Sequence, residues 1–342
     1  MKEIPGIALL LLLAFCSDAF TDETPLPKSG GPELLSINAL REYASSTGAQ
    51  FRLEFEREPL NGIERRVFNF EADGLRQFAM VLIPAGTMPD HGWPVLIFNH
   101  GYHPNPPDNG MVNGVSDRPG DYYRGIPLAY ALKGFLVVAP DYRGHNVSEG
   151  LEYTKTYLGS YWYTRDVIAV FNALGGLPGA DLRRVFMMGH SMGGEITLRA
   201  ALALGHQVRG ASVWSSSLGS LAENVMNRQL LGRDKFESRE SGKSMLNEFQ
   251  NQVEQLPFPF EPESGNPLNF IDELEVPLNI HHETRDTEGN LYAGPVSLVT
   301  KLSLNQKPYR FYSYTGAGHL LVGSQQSLAI SRDVEFFISQ GR

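Results

Sequence analysis

Cysteine is almost missing from this chain: there is one, Cys16, in 342 residues. A single cysteine rules out an intramolecular disulfide and any cysteine-rich zinc site. Positive charge is also short. Lys and Arg number 29 against 38 Asp and Glu, a net charge of −9. A nucleic-acid backbone is gripped by clustered cations, so nucleic acid is excluded as the main partner. Long apolar runs are lacking too. Ile7–Phe15 is nine residues long, well below the ~20 that span a bilayer. There is no internal repeat, no dinucleotide fingerprint and no phosphate-binding loop. The neighbours His281 and His282 lack an evident third ligand. Neither a metal nor an organic cofactor is therefore expected.

What is present is an ordinary globular mix, 42% hydrophobic and 20% charged, which argues against global disorder. The 35 glycines and 22 prolines suit many short strands joined by turns. The length fits one large α/β domain with additions.

Met1 and Lys2 precede the apolar run, and small residues follow it. This reads as a signal peptide over 1–19, cut after Ser17-Asp18-Ala19. Leu13-Ala14-Phe15-Cys16 offers a second ending, similar to a bacterial lipoprotein box with a lipid anchor at Cys16. Either ending implies export, to the periplasm, the cell envelope or beyond. Any membrane contact is then confined to that anchor. Residues 20–62 are expected to be a tether and a poorly assigned segment, locally helical at Leu34–Tyr43. The main domain is expected over 63–342.

Within it, Val67–Phe70 and Phe78–Ile83 read as strands joined by a tight turn at Ala72-Asp73-Gly74. Continuous apolar runs follow at Pro94–Phe98, Phe135–Ala139, Val185–Met188, Val208–Trp214 and Pro277–Ile280, with a more polar one at Tyr309–Tyr314. Such runs suit strands buried on both faces. Helical patterns alternate with them: a stripe at Val167, Val170, Phe171 and Leu174, then Glu195–Leu204 and Gln325–Gln340. The expected class is α/β, with a mostly parallel central sheet of about eight strands and helices on both faces. An excursion at about 218–260 breaks the rhythm. It is expected to be helical, either walling a pocket or standing free in solvent.

Gly189-His190-Ser191-Met192-Gly193-Gly194 follows a strand and opens a helix. By itself G-x-S-x-G is weak, since a chain of this composition yields about 0.2 chance matches. The strand–turn–helix setting strengthens it, because glycines on both sides let the chain turn sharply and lift Ser191 Oγ above the sheet. A serine needs a base. Of nine histidines, only His319 lies on a late glycine-flanked loop, Gly316-Ala317-Gly318-His319, between the last strand and the last helix. Candidate acids to orient it are Glu283, Asp286 and Glu288. Asp286 is preferred, because a few residues past the strand let its side chain reach back. The oxyanion needs two donors. The backbone N–H groups of Met192 and of Tyr102, in Asn99-His100-Gly101-Tyr102, are nominated. His100 is read as bracing that loop, and Asp141 and Arg143 as an ion pair doing the same.

These segments, with Pro140–His145 and the run from Asn266-Pro267-Leu268-Asn269-Phe270 to Asp286, resemble an α/β-hydrolase. More narrowly they are similar to the catalytic domain of prolyl-oligopeptidase-type enzymes and to dienelactone-hydrolase-like esterases. The resemblance covers roughly Arg65–Ser339 and implies Ser191, Asp286 and His319 as a triad. One departure is Glu283, where the His-Gly-x-x-Asp stretch of that family has glycine. The roughly 60 residues before the domain do not suffice for a gating β-propeller. The expected activity is therefore hydrolysis of a small or polymer-linked ester through an acyl-enzyme. Peptidase action on short peptides, and a catalytically silent binding protein of the same fold, are the alternatives.

Overall fold

The computed structural model describes residues 32–46, 48–103, 123, 125–216, 218–230, 239–286 and 293–341. The expected signal peptide, Cys16 and residues 20–31 of the expected tether segment lie outside the described residues.

Three antiparallel strands come first, β1 (Arg52–Leu60), β2 (Ile63–Ala72) and β3 (Leu75–Ile83). Their two connections are Asn61-Gly62 and Asp73-Gly74. All four residues have positive φ, at 51, 80, 53 and 76°. That is the mirror-image turn whose twist matches a hairpin, and Asn-Gly and Asp-Gly are the pairs that adopt it most cheaply.

Six further strands follow: β4 (Trp93–Asn99), β5 (Leu136–Pro140), β6 (Ala180–His190), β7 (Gly210–Trp214), β8 (Leu278–Glu283) and β9 (Tyr309–Tyr314). They run parallel to one another, and β3 joins them antiparallel through β5. Among the described residues the sheet order is β1-β2-β3-β5-β4-β6-β7-β8-β9. The mostly parallel sheet is as expected, but it has nine strands rather than about eight. The extra one is β1, whose Leu53 and Phe55 are 52% and 42% exposed. Pairing with β2, rather than an apolar face of its own, makes it a strand.

The pleat sends alternate residues into two separate cores. From β4, Val95 and Ile97 enter one core, while Leu96 and Phe98 enter the other. The first is closed by α1 (Ile37–Ser46), α3 (Gly159–Ala173), α4 (Met192–Leu204) and α7 (Ala293–Leu304); the second by α2 (Gly125–Ala131) and α8 (Ser324–Gln340). Both faces are thus covered, as a parallel sheet requires. The α1 helix is not part of a tether. Its Ile37 and Leu40 are fully buried. Arg41 Nε donates to the Leu202 carbonyl at 3.4 Å, and Asn172 Nδ2 to that of Ala44 at 2.8 Å. Residues 32–60 are therefore built into the domain that the sequence reading begins at 63. The excursion is helical, with α5 (Leu221–Leu230) and α6 (Arg239–Glu254). Among the described residues no helix is long and apolar enough to cross a membrane.

The chain passes from β4 to β5 on one side and to β6 on the other. That reversal opens a crevice at the carboxyl ends of the strands, and the loops after β4, β6, β8 and β9 carry the nominated residues.

Candidate active site

Ser191 is the single residue between β6 and α4, with φ 57° and ψ −125°. A non-glycine residue in this region is strained. Three bonds hold it there: its N–H donates to the Trp214 carbonyl at 2.9 Å, and its own carbonyl accepts from Gly194 N–H and Ser216 Oγ, both at 3.0 Å. The flanking glycines are explained by crowding. A Cβ on Gly189 would lie 2.1 Å from the Gly193 carbonyl oxygen, and one on Gly193 would lie 2.0 Å from that of Asn99. Helix α4 therefore starts hard against the end of β4. Met192 opens α4, so its N–H has no acceptor within the helix.

The loop after β4 touches the serine, since a Cβ on Gly101 would be 3.0 Å from Ser191 Cβ. Asn99 Nδ2 ties β4 to α4 by donating to Thr197 Oγ1 at 2.8 Å. His100 braces the loop, as expected: its Nδ1 lies 2.7 Å from the Gly101 carbonyl and its ring stacks on Tyr142 at 4.2 Å. Burial holds its pKa down to about 4, so the ring is neutral at pH 7. The Tyr102 side chain is 64% exposed.

The expected Asp141–Arg143 ion pair does not form. Buried Arg143 pairs instead with Asp166 at 2.6 Å and Asp73 at 2.9 Å, and Asp141 accepts from Asn146 Nδ2 at 3.3 Å. Arg143 thereby locks the loop after β5 to α3 and to the β2–β3 turn. Fully buried Asp166 lies on α3, beyond what local sequence could reveal.

His319 and Asp286, 33 residues apart, meet at 2.6 Å through Nδ1 and Oδ2. The carboxylate is fully buried and the imidazole 13% exposed. With Nδ1–H donated to Asp286, Nε2 keeps its lone pair and can take a proton. The ring sits 4.5 Å, centroid to centroid, from that of His190, the residue before Ser191.

His190 had no role in the sequence reading, yet it joins three parts of the site. Its Nε2 lies 2.8 Å from the His319 carbonyl, which can only accept. Nε2 therefore carries the hydrogen, and Nδ1 accepts from Tyr123 Oη at 2.5 Å. Tyr123 Oη in turn accepts from Gly101 N–H at 3.1 Å. One directed chain of hydrogen bonds thus runs from the loop after β4, through the residue beside Ser191, to the backbone of His319. Burial, with His319 alongside, drives the His190 pKa down to about 3 and keeps it neutral. The available signal was its place at the end of a buried strand, where an unpaired imidazole would be costly.

Glu283 ends β8 and is 1% exposed. It does not bond His319. Burial pulls its carboxyl up, but N–H groups of Arg285, Ala317 and Gly318 outweigh that and hold it below the usual carboxylate range. Glu288 lies outside the described residues.

The excursion does wall a cavity. This half-open pocket of about 200 Å³ lies between α5, α6 and the start of α3, with Leu221, Val225, Met245 and Phe249 as apolar walls and Glu195 of α4 on its lining, and none of the nominated residues lines it. Glu195 is one helical turn beyond Ser191 and pairs with Arg199 at 2.6 Å. A larger cleft of about 720 Å³ lies by β2, β3 and the end of α1, and none of the nominated residues lines it.

A family model described as serine aminopeptidase, S33, matches residues 111–240; this stretch includes Ser191 but neither Asp286 nor His319. An uncharacterized peptidase, YtmA, of Bacillus subtilis (strain 168) is 22% identical over 192 residues, covering 56% of this chain and 67% of that protein. The structure of dipeptidyl peptidase 4 from Porphyromonas gingivalis is similar with a TM-score of 0.59 and 18% identity, over 82% of this chain and 36% of that one. The chain thus spans about a third of that peptidase. An acetyl xylan esterase from Paenibacillus sp. R4 is similar with a TM-score of 0.64 and 16% identity, over 90% of this chain and 98% of the esterase. Together with the sheet order, these likenesses show that the chain has the α/β-hydrolase fold.

Proposed function

We propose that this α/β-hydrolase is a serine esterase in which Ser191, His319 and Asp286 act as nucleophile, base and orienting acid. The observation that carries the reading is the Asp286–His319 pair at 2.6 Å, with the backbone of His319 tied to His190, the residue before Ser191. Ser191 Oγ attacks the ester carbonyl and passes its proton to His319 Nε2. Asp286 stabilises the resulting imidazolium. The N–H groups of Met192 and Tyr102 receive the oxyanion. Collapse releases the alcohol with the proton from His319 and leaves an acyl-serine. Water then attacks, deprotonated by the same imidazole, and frees the acid.

An ester is favoured over a peptide because the likeness runs through 98% of an acetyl xylan esterase and 36% of a dipeptidyl peptidase. Peptidase action is the second reading, supported by the serine aminopeptidase match. Export through residues 1–19, with or without lipid at Cys16, belongs to the same proposal.

The test is a panel of short p-nitrophenyl esters, acetylated polysaccharides and aminoacyl amides offered to the purified protein. Ester turnover at least about tenfold above amide turnover is the expected result, a gap of roughly 1.4 kcal/mol in the barrier. Faster amide cleavage would move the protein to the peptidases. Ligand binding without turnover, unchanged in Ser191→Ala, would make it a silent binding protein.

A further inference from the structure

The carboxylate of Glu283 divides its two oxygens between the two loops that carry the acid and the base. Oε1 accepts from Arg285 N–H at 2.9 Å and from the Thr284 hydroxyl at 3.3 Å. Both belong to the turn from β8 to Asp286. Oε2 accepts from the N–H groups of Ala317 and Gly318, the latter at 3.0 Å. Those are the two residues before His319. The Gly316 and Gly318 φ angles of 76 and 67° turn successive N–H groups to one side. This makes a concave anion site in the backbone, and Glu283 fills it. A Cβ on either glycine would meet nothing within 4 Å. These glycines are thus present for their backbone angles rather than for close approach.

We propose that Glu283 is a positioning residue: its carboxylate staples the loop of His319 to the loop of Asp286 and so sets the alignment of base and acid. This rests on the triad reading above. The staple works on the backbone, so it touches neither substrate nor the reacting atoms. It complements the grip of His190 on the His319 carbonyl from the other side of the loop. Sequence patterning hides it, because its acceptors and donors lie 34 and 35 residues apart. A misplacement of ~1 Å in such a pair costs on the order of 100-fold in rate.

The test compares wild type with Glu283→Ala, Glu283→Gln, His319→Ala and Ser191→Ala on a short p-nitrophenyl ester. Thermal melts and end-point titration with a fluorophosphonate give the folded, reactive fraction. Glu283→Ala is expected to lower kcat per reactive site about 10- to 100-fold, with KM within about twofold. Glu283→Gln keeps one acceptor oxygen and can serve only one loop, so its kcat should fall between the two. Millimolar formate should restore part of the Ala variant's kcat by occupying the vacated backbone site, and leave wild type unchanged. Should Glu283→Ala fail to fold, the Gln variant decides: wild-type kcat in it overturns the proposal. So does wild-type kcat in a folded Ala variant, or a loss seen only in KM. The triad reading fails separately, if His319→Ala or Ser191→Ala keeps wild-type turnover.

Discussion

His100 and His190 are both fully buried and both neutral, and this links stability to pH in a calculable way. Unfolded, each imidazole titrates near 6.5. Folded, burial brings His100 to about 4 and His190 to about 3. Between those values and 6.5 the unfolded chain binds protons that the folded chain refuses. Stability therefore falls as pH falls through this window. At pH 5 the unfolded forms are almost fully protonated and the folded forms almost fully neutral. The cost is about 2 kcal/mol for each residue, about 4 kcal/mol together. His103 and His145, whose rings lie 5.1 and 5.0 Å from that of His100, are also driven down by burial and push the same way. The paired carboxylates Asp73 and Glu283, whose pKa values are lowered, stay ionised in both states above pH 5 and add little. Against a typical total of about 5–15 kcal/mol, this loss is large. Urea melts at pH 7 and pH 5 measure it directly, with the slope m held common. His190→Gln should remove about half of the two-residue difference. Coincident midpoints at the two pH values would refute the reasoning.

Three further outcomes follow from the same structure. Asp286→Asn keeps the shape but offers an amide where His319 needs a carboxylate, so kcat should fall about 10⁴-fold with the melting temperature nearly unchanged; steady-state kinetics beside a thermal melt would read this. Gly193→Ala places a methyl about 2.0 Å from the Asn99 carbonyl oxygen and should cost more than about 3 kcal/mol by urea denaturation, since overpacking against backbone cannot relax cheaply. Asp333→Ala strips the acceptor from buried Trp214 Nε1, Tyr130 Oη, Asn279 Nδ2 and His281; a loss of about 3–5 kcal/mol is expected, measured the same way.

The parallel strands were legible because burial on both faces forces near-continuous apolar runs, and β4 to β8 show them. The turn at Ser191 was legible because crowding between β6, α4 and β4 leaves room only for glycine at 189 and 193. Other elements left weaker marks. Edge strand β1 buries little, so its sequence carries no apolar face. The α7 helix is apolar around much of its surface and opens on Ala293-Gly294-Pro295, which masks its period. The hydrogen-bond partners of the Arg143 and His190 side chains lie 23 to 129 residues away, Glu283 reaches Ala317 and Gly318 34 and 35 residues on, and no local pattern encodes these contacts. Glu283 stood out as one of three candidate acids and as an odd residue where glycine was expected. Its meaning came from the loop it faces.

The central claim is that Ser191 is a nucleophile activated by His319. It is tested most directly by incubating the protein with a fluorophosphonate and following the adduct by intact and peptide mass spectrometry. The account predicts one adduct per chain, on the peptide bearing Ser191, absent in Ser191→Ala and formed at least about 100-fold more slowly in His319→Ala. A folded wild-type protein that stays unlabelled, or one labelled as fast without His319 as with it, would contradict it.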